Sequence, residues 1–198
     1  METIKIIGIT GGIGCGKSKL IELIEERCKV LNINTDKIAK FLMANGNVSY
    51  KLIVDHWGKS VLTDNEIDSK KLAKIVMSNK DELLRLNSFT HPYVIKEVKD
   101  IIKRNSDDYD IAVIESALLL DTPLKDLCTE IWNVSANINT RIERLCKYRG
   151  YTKEEAEKII NNQKSEEYYM QNSDKTFINN RNNGEDMIPL LTISLHTN

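Results

Sequence analysis

Apolar runs alternate with helical patterns along this chain, the arrangement of an α/β fold with a parallel sheet. Residues 4–9 (IKIIGI) are nearly all β-branched and predict a first strand buried on both faces. A glycine-rich turn leads into a helix over 17–28 that sets Leu20, Ile21 and Ile24 on one face. Residues 30–34 predict a second strand, and 36–43 a short helix ending near Asn45-Gly46. From 48 to 105 the pattern changes. Helical periodicity recurs over 50–57, 69–77, 80–86 and 92–104 with little strand character, which predicts a mostly helical insertion between two strands of the sheet. Strands are expected again at 110–115 and 130–134, followed by helices over 139–148 and 152–162. Thr152 followed by Glu155 is a capping-box pattern. A short strand at 175–178, an Asn-rich turn and a brief helix close the chain, and no internal repeat is present.

Composition narrows this picture. With 198 residues, one domain with small insertions can bury a sufficient core without staples. A net charge of −1 supplies no global field toward nucleic acid or an anionic membrane, so a polyanionic ligand needs a local site. Neither partner is expected. The first ten residues lack the basic and extended apolar regions of a signal peptide, and no apolar run is long enough to span a bilayer. Cys15, Cys28, Cys128 and Cys146 are scattered without a CxxC pair, as for reduced thiols in a cytoplasmic protein. No oligomerisation motif is visible, so a monomer or weak homo-oligomer is expected.

The chemistry begins at residues 11–18, GGIGCGKS, which satisfy G-x-x-x-x-G-K-[ST] through Gly11, Gly16, Lys17 and Ser18. Glycines at Gly11, Gly12, Gly14 and Gly16 let the backbone N–H groups of the loop, including those of Ile13 and Cys15, converge on phosphate oxygens. The following helix adds the positive end of its dipole. Lys17 would bridge β- and γ-phosphate charge, and the Ser18 hydroxyl would ligate Mg²⁺. The motif lies between a predicted strand and a predicted helix, as ATP binding requires. A guanine-reading N/T-K-x-D motif and an evident D-x-x-G switch are both missing. About 180 residues follow the loop, enough for a small-molecule kinase with an acceptor-binding insertion and a lid.

Further motifs make the chain resemble the dephospho-CoA kinase family nearly end to end. Thr10 to Ser18 reads TGGIGCGKS against the family's TGGIGSGKS, and Asn34-Thr35-Asp36 stands where the family has D-A-D. Leu86-Asn87-Ser88-Phe89-Thr90-His91-Pro92 is similar to its L-N-x-x-x-H-P turn, and Ala117 to Asp121 (ALLLD) to its P-L-L-x-E. Arg144, Thr152 and Gln163 fit its lid, and Ser173-Asp174 through Asn180 resembles its A-D-x-V-I-x-N strand and turn. The resemblance implies a P-loop kinase fold: core at about 1–47, 106–138 and 173–198, acceptor-binding insertion at 48–105, lid at 139–172. It implies transfer of the γ-phosphoryl group of ATP to the ribose 3′-hydroxyl of dephospho-CoA.

Under that resemblance Asp36 is the catalytic base, while its bland alternative is the N-cap of a helix starting at Lys37. His91 and Pro92 would shape the acceptor pocket, or simply start a helix with Pro at its first position. Leu118 and Leu119 would pack near the acceptor, and Lys40 would contact it in place of the family's arginine. Glu115 fits either Mg²⁺-bound water or a structural role. Arg144, then Arg149, would close over the phosphates, or else lie on a solvated helix face. Asn179 and Asn180 stand where the family contacts adenine. Departures are Asn34 for the first Asp of D-A-D, Ala117 for Pro, Asp121 for Glu, and Tyr148 where a second lid arginine is expected. They leave two rival readings, a kinase for another small acceptor such as a nucleoside monophosphate, and a weakened ATP-binding regulator.

Overall fold

The computed structural model describes residues 4–181 and 183–196. They divide into two compact units, residues 34–104 and the remainder of the chain.

The larger unit is built on a five-stranded sheet of order β2-β5-β1-β6-β7: β1 (Lys5–Thr10), β2 (Val30–Asn34), β5 (Ile111–Glu115), β6 (Glu130–Ser135) and β7 (Lys175–Ile178). Strands β5, β1, β6 and β7 pair in parallel, Ile9 aligning with Glu115 on one side and Trp132 on the other. The sheet core joins Ile7, Ile9, Val113, Trp132, Val134 and Phe177 to Leu20 and Ile24 of α1 (Lys17–Glu25). Gly8 sits in mid-strand for a packing reason: a Cβ there would meet Cys128 and Leu119 at 2.7 Å. Three helices follow β6 where two are expected: α6 (Ile138–Arg149), α7 (Lys153–Asn161) and α8 (Glu166–Gln171). The capping box forms as its sequence predicts, with Thr152 accepting from the Glu155 N–H and Glu155 from that of Thr152. α8 is only six residues long, too short for helical periodicity to register. The last helix is α9 (Ile188–His196).

At the foot of the sheet Glu130 receives three hydrogen bonds or ion pairs. Lys5 Nζ lies 2.9 Å away, Lys175 Nζ 2.6 Å, and Trp132 Nε1 donates at 2.6 Å. Burial pushes this carboxyl up, but the hydrogen bonds from Lys175, Lys5 and Trp132 outweigh it and set it at about 2. A depressed carboxylate stabilises the fold above its unfolded value, and that stabilisation fades as pH falls toward the folded one. Glu130→Gln is therefore expected to cost roughly 2 kcal/mol near pH 6, with the gap to the parent closing between about pH 4.5 and pH 2. Urea melts across that range check it.

The smaller unit contains α2 (Thr35–Leu42), α3 (Val48–Trp57), a hairpin of β3 (Leu62–Thr63) and β4 (Glu66–Ile67), α4 (Ser69–Ser78) and α5 (Lys80–Asn105). Its core is Ile53, Val61, Leu72 and Val76, with Trp57, Leu86 and Phe89 packed around it. Two expectations are corrected here. The hairpin lies between the expected helices over 50–57 and 69–77, and adds a little strand structure to a segment expected to be mostly helical. Its turn is Asp64-Asn65, both with positive φ, residues that tolerate the left-handed conformation tight hairpins need. The expected helices over 80–86 and 92–104 are one continuous α5, so the His91-Pro92 turn is no turn and Pro92 lies inside the helix. Proline removes one N–H from the ladder there, and on the preceding turn the Thr90 hydroxyl donates to the Leu86 carbonyl at 3.0 Å. Long helices absorb a proline at the cost of a kink when packing holds both sides, and here Thr90, Val94 and Val98 are buried.

Candidate active site

The loop between β1 and α1 turns on Gly11, Gly14 and Gly16, which adopt φ of 133°, 79° and 98°. Gly16 is the tightest, since a Cβ on it would collide with the side-chain nitrogen of Asn179. The loop's carbonyls are bound from several directions. Lys17 Nζ donates to Gly11 O (2.8 Å) and Gly12 O (3.1 Å). Arg141 Nε donates to Ile13 O (2.8 Å), and one Arg144 nitrogen to both Gly14 O and Cys15 O (3.2 Å each). Asn179 Nδ2 donates to Cys15 O at 2.8 Å. By contrast, among the described residues the N–H groups of Gly14, Gly16, Lys17 and Ser18 have no protein acceptor. With carbonyls engaged and amides open at a helix N-terminus, the loop presents its positive side, as a phosphate site does.

The expected residues fall into distinct places. Lys17 is half-buried, and burial pulls its ammonium below the usual lysine range, with Arg149 and Arg141 adding to the fall against Cys15 and Glu115. Ser18 is exposed at the head of α1. Cys15 is fully buried and burial raises its thiol, so it serves the loop through its backbone. Arg144 reaches the loop and also Arg181 O at 2.9 Å, so it does not lie on a solvated face. Arg149 is exposed near the end of α6. Asn179 is buried against the loop and Arg144, and Asn180 Oδ1 accepts from the Asn137 N–H at 2.8 Å. The expectation that Leu118 and Leu119 act alike is corrected. Leu118 is half exposed, whereas Leu119 has no exposed surface and fills the space above Gly8 as part of the core.

In the smaller unit Asp36 and Lys40 are exposed, one turn apart on α2. The alternative reading of Asp36 as N-cap is ruled out: the cap is Asn34, whose side chain accepts from the Lys37 N–H at 3.0 Å. Asn34 thus has a structural task suited to an amide, and Asp36 is left in the first turn as an exposed carboxylate. His91 is half-buried, and burial lowers its pKa, which favours the neutral imidazole.

Sequence reasoning missed Arg141, which is 9 % exposed, and left Gln163 without a role. Gln163 Oε1 accepts from the Ile13 N–H (2.8 Å) and from Arg141 (2.9 Å), while Arg141 holds the Ile13 carbonyl. Both sides of one loop residue are clamped, and the Ile13 side chain packs against Leu145, Ala156 and Ile160. The available signal was the i, i+3 spacing of Arg141 and Arg144, which sets both on one face of a helix. Gln163→Leu orphans the Ile13 N–H and removes one of the two acceptors of Arg141, and is expected to raise the KM for ATP about tenfold and lower stability by about 1–3 kcal/mol. Steady-state kinetics with thermal melts check both numbers.

The phosphate loop places the chain among P-loop proteins, and comparison with known proteins decides the family. The model of the dephospho-CoA kinase family matches residues 5–186. The chain belongs to the dephospho-CoA kinase family. A dephospho-CoA kinase of Carboxydothermus hydrogenoformans is 38% identical over 158 residues, covering 79% of this chain and 76% of that one. A dephospho-CoA kinase of Lactobacillus johnsonii is 36% identical over 159 residues, 79% and 80% of the two chains. Among solved structures, a protein of Thermus thermophilus superposes with a TM-score of 0.85 at 21% identity over 100% of both chains, which shows a shared fold. The dephospho-CoA kinase family thus accounts for the phosphate loop, the helical unit and the segments that follow β6.

Proposed function

We propose that Lys17, Ser18, Asp36 and Arg144 carry the reaction of the dephospho-CoA kinase family in this chain, transfer of the γ-phosphoryl group of ATP to the ribose 3′-hydroxyl of dephospho-CoA. The observation that supports it is the loop with engaged carbonyls and open amides. Such a loop holds the phosphates of ATP through Gly14, Gly16, Lys17 and Ser18. Lys17 leaves Gly11 O and Gly12 O to meet β- and γ-phosphate charge. Arg144 neutralises charge developing on the transferred group, and Arg149 adds a further cation from the segment 139–172, which serves as lid. Asp36 orients the acceptor hydroxyl and accepts its proton as the phosphoryl group arrives. Lys40, His91, Pro92 and Leu118 contribute to the acceptor surface, and Asn179 and Asn180 to the adenine end.

Mg²⁺ fits this arrangement as a companion of the nucleotide. Among the described residues no group of three or more His, Cys, Asp or Glu forms a metal cage, whereas Mg²⁺ is typically held by one or two protein groups plus phosphate oxygens and water. The exposed Ser18 hydroxyl is the protein ligand in this reading, and the ion supplies charge neutralisation on the phosphates. Among the described residues no helix is long and apolar enough to cross a membrane, in keeping with a cytoplasmic enzyme.

The test is ADP release coupled to dephospho-CoA consumption, with ³¹P NMR of the product. A new 3′-phosphomonoester resonance is the expected result. ATP binding with dephospho-CoA left unphosphorylated would support a regulator instead, and a nucleoside monophosphate preferred over dephospho-CoA would support a different kinase.

A further inference from the structure

Among the described residues, the arginines that pair with carboxylates, Arg27, Arg104 and Arg181, are all exposed. The buried arginine does not pair. Among the described residues no carboxylate lies within ion-pair distance of Arg141, although only 9 % of it is exposed. Its side-chain hydrogen bonds run from Nε to Ile13 O and from Nη2 to Gln163 Oε1, both neutral acceptors, and Nη1 has no partner among the described residues. A guanidinium taken out of water and given only neutral partners keeps much of its desolvation penalty, and an anion relieves it. Arg141 is thus a cation held in place without its counter-charge.

What lies beside it identifies the anion. A Cβ on Gly12 would collide with Nη2 and stand 3.1 Å from Nη1, so the unused end of the guanidinium lies against the phosphate loop. Lys17 Nζ donates to the carbonyl of the same Gly12 at 3.1 Å. Burial is the main cause of the low Lys17 pKa, and Arg141 is among the like charges that add to it. The two cations therefore converge on Gly12, ahead of the open amides that begin at Gly14 and lead into α1. We propose that Arg141 is a further catalytic residue, with Nη1 on an oxygen of the γ-phosphoryl group of ATP. The inference rests on the reading of the loop as an ATP site and deepens it. In the transfer, the bond from the γ-phosphorus to the β,γ-bridging oxygen breaks as the bond to the ribose 3′-oxygen forms. ADP keeps the bonding pair, Asp36 takes the hydroxyl proton, and the guanidinium loses none. Nη1 meets the charge on the transferred group. Because Ile13 O and Gln163 already fix the side chain, no reorganisation is needed as that charge develops.

Calorimetric titration of the full chain with Mg²⁺ and either ADP or a non-hydrolysable ATP analogue tests this, alongside kcat with dephospho-CoA. Gln163→Leu takes away the brace on Ile13 and leaves the guanidinium, so it is expected to weaken both nucleotides by the same factor. Arg141→Gln takes away brace and cation together. It is expected to weaken the ATP analogue about tenfold more than ADP, and to lower kcat by about 10²-fold. Equal weakening of the two nucleotides by Arg141→Gln would overturn the assignment and leave Arg141 a structural brace. A parent that binds neither nucleotide would instead overturn the reading of the loop itself. Should Arg141→Gln fail to fold, a crystal structure of the parent with the analogue decides. Nη1 at about 3 Å from a γ-phosphate oxygen supports the proposal, and Nη1 turned away from that group overturns it.

Discussion

Asp36→Asn is expected to lower kcat by about 10²–10⁴-fold while leaving the fold intact. The substitution keeps size and shape and removes the charge and proton affinity. Because Asn34 caps α2, the helix start does not depend on Asp36. The stability cost is then limited to the loss of a carboxylate near a helix N-terminus, about 0.3–1 kcal/mol. Asn34→Ala should show the converse, a stability loss of about 1 kcal/mol through the cap. Single-turnover rates with saturating ATP and dephospho-CoA, alongside thermal melts, separate the two. Full kcat in Asp36→Asn would remove Asp36 from the chemistry.

The second large effect is expected at Lys17. Lys17→Ala should reduce kcat/KM by about 10³-fold, because the ammonium belongs to the loop itself and is placed to meet the phosphates. Its surroundings explain the magnitude. The group is partly removed from water and its pKa is depressed by burial, so a charged phosphate that replaces Gly11 O and Gly12 O as its partners gains more than the same contact would in bulk solvent. Lys17→Arg should not restore activity, since a planar fork cannot take the place of a point charge in a loop closed this tightly. Nucleotide titrations of both variants, with circular dichroism to confirm folding, test this.

What could be read from sequence followed the range of the interactions involved. Strands β1 and β5 show as runs rich in β-branched residues, and the phosphate loop as a local spacing of glycines and a lysine. The Asp64-Asn65 hairpin escaped because two-residue strands carry no periodicity. Helix α5 was divided at Pro92 because proline's local penalty is visible in sequence, while the burial of Thr90, Val94 and Val98 that outweighs it is not. Leu118 and Leu119 are chemically identical neighbours, yet Leu119 packs where Gly8, more than a hundred residues away, carries no side chain, and Leu118 is half exposed. Arg141 and Gln163 brace Ile13 across sequence separations of 128 and 150 residues, which no local pattern carries.

That brace has a thermodynamic corollary. Four side chains from beyond residue 135, Arg141, Arg144, Gln163 and Asn179, fix the loop before any nucleotide arrives. Little backbone freedom is left to lose on association, so the entropic penalty of ordering the loop is met during folding. The eight residues of the signature should accordingly bind phosphate poorly as an isolated peptide, and well only where the distant half of the chain has already frozen them.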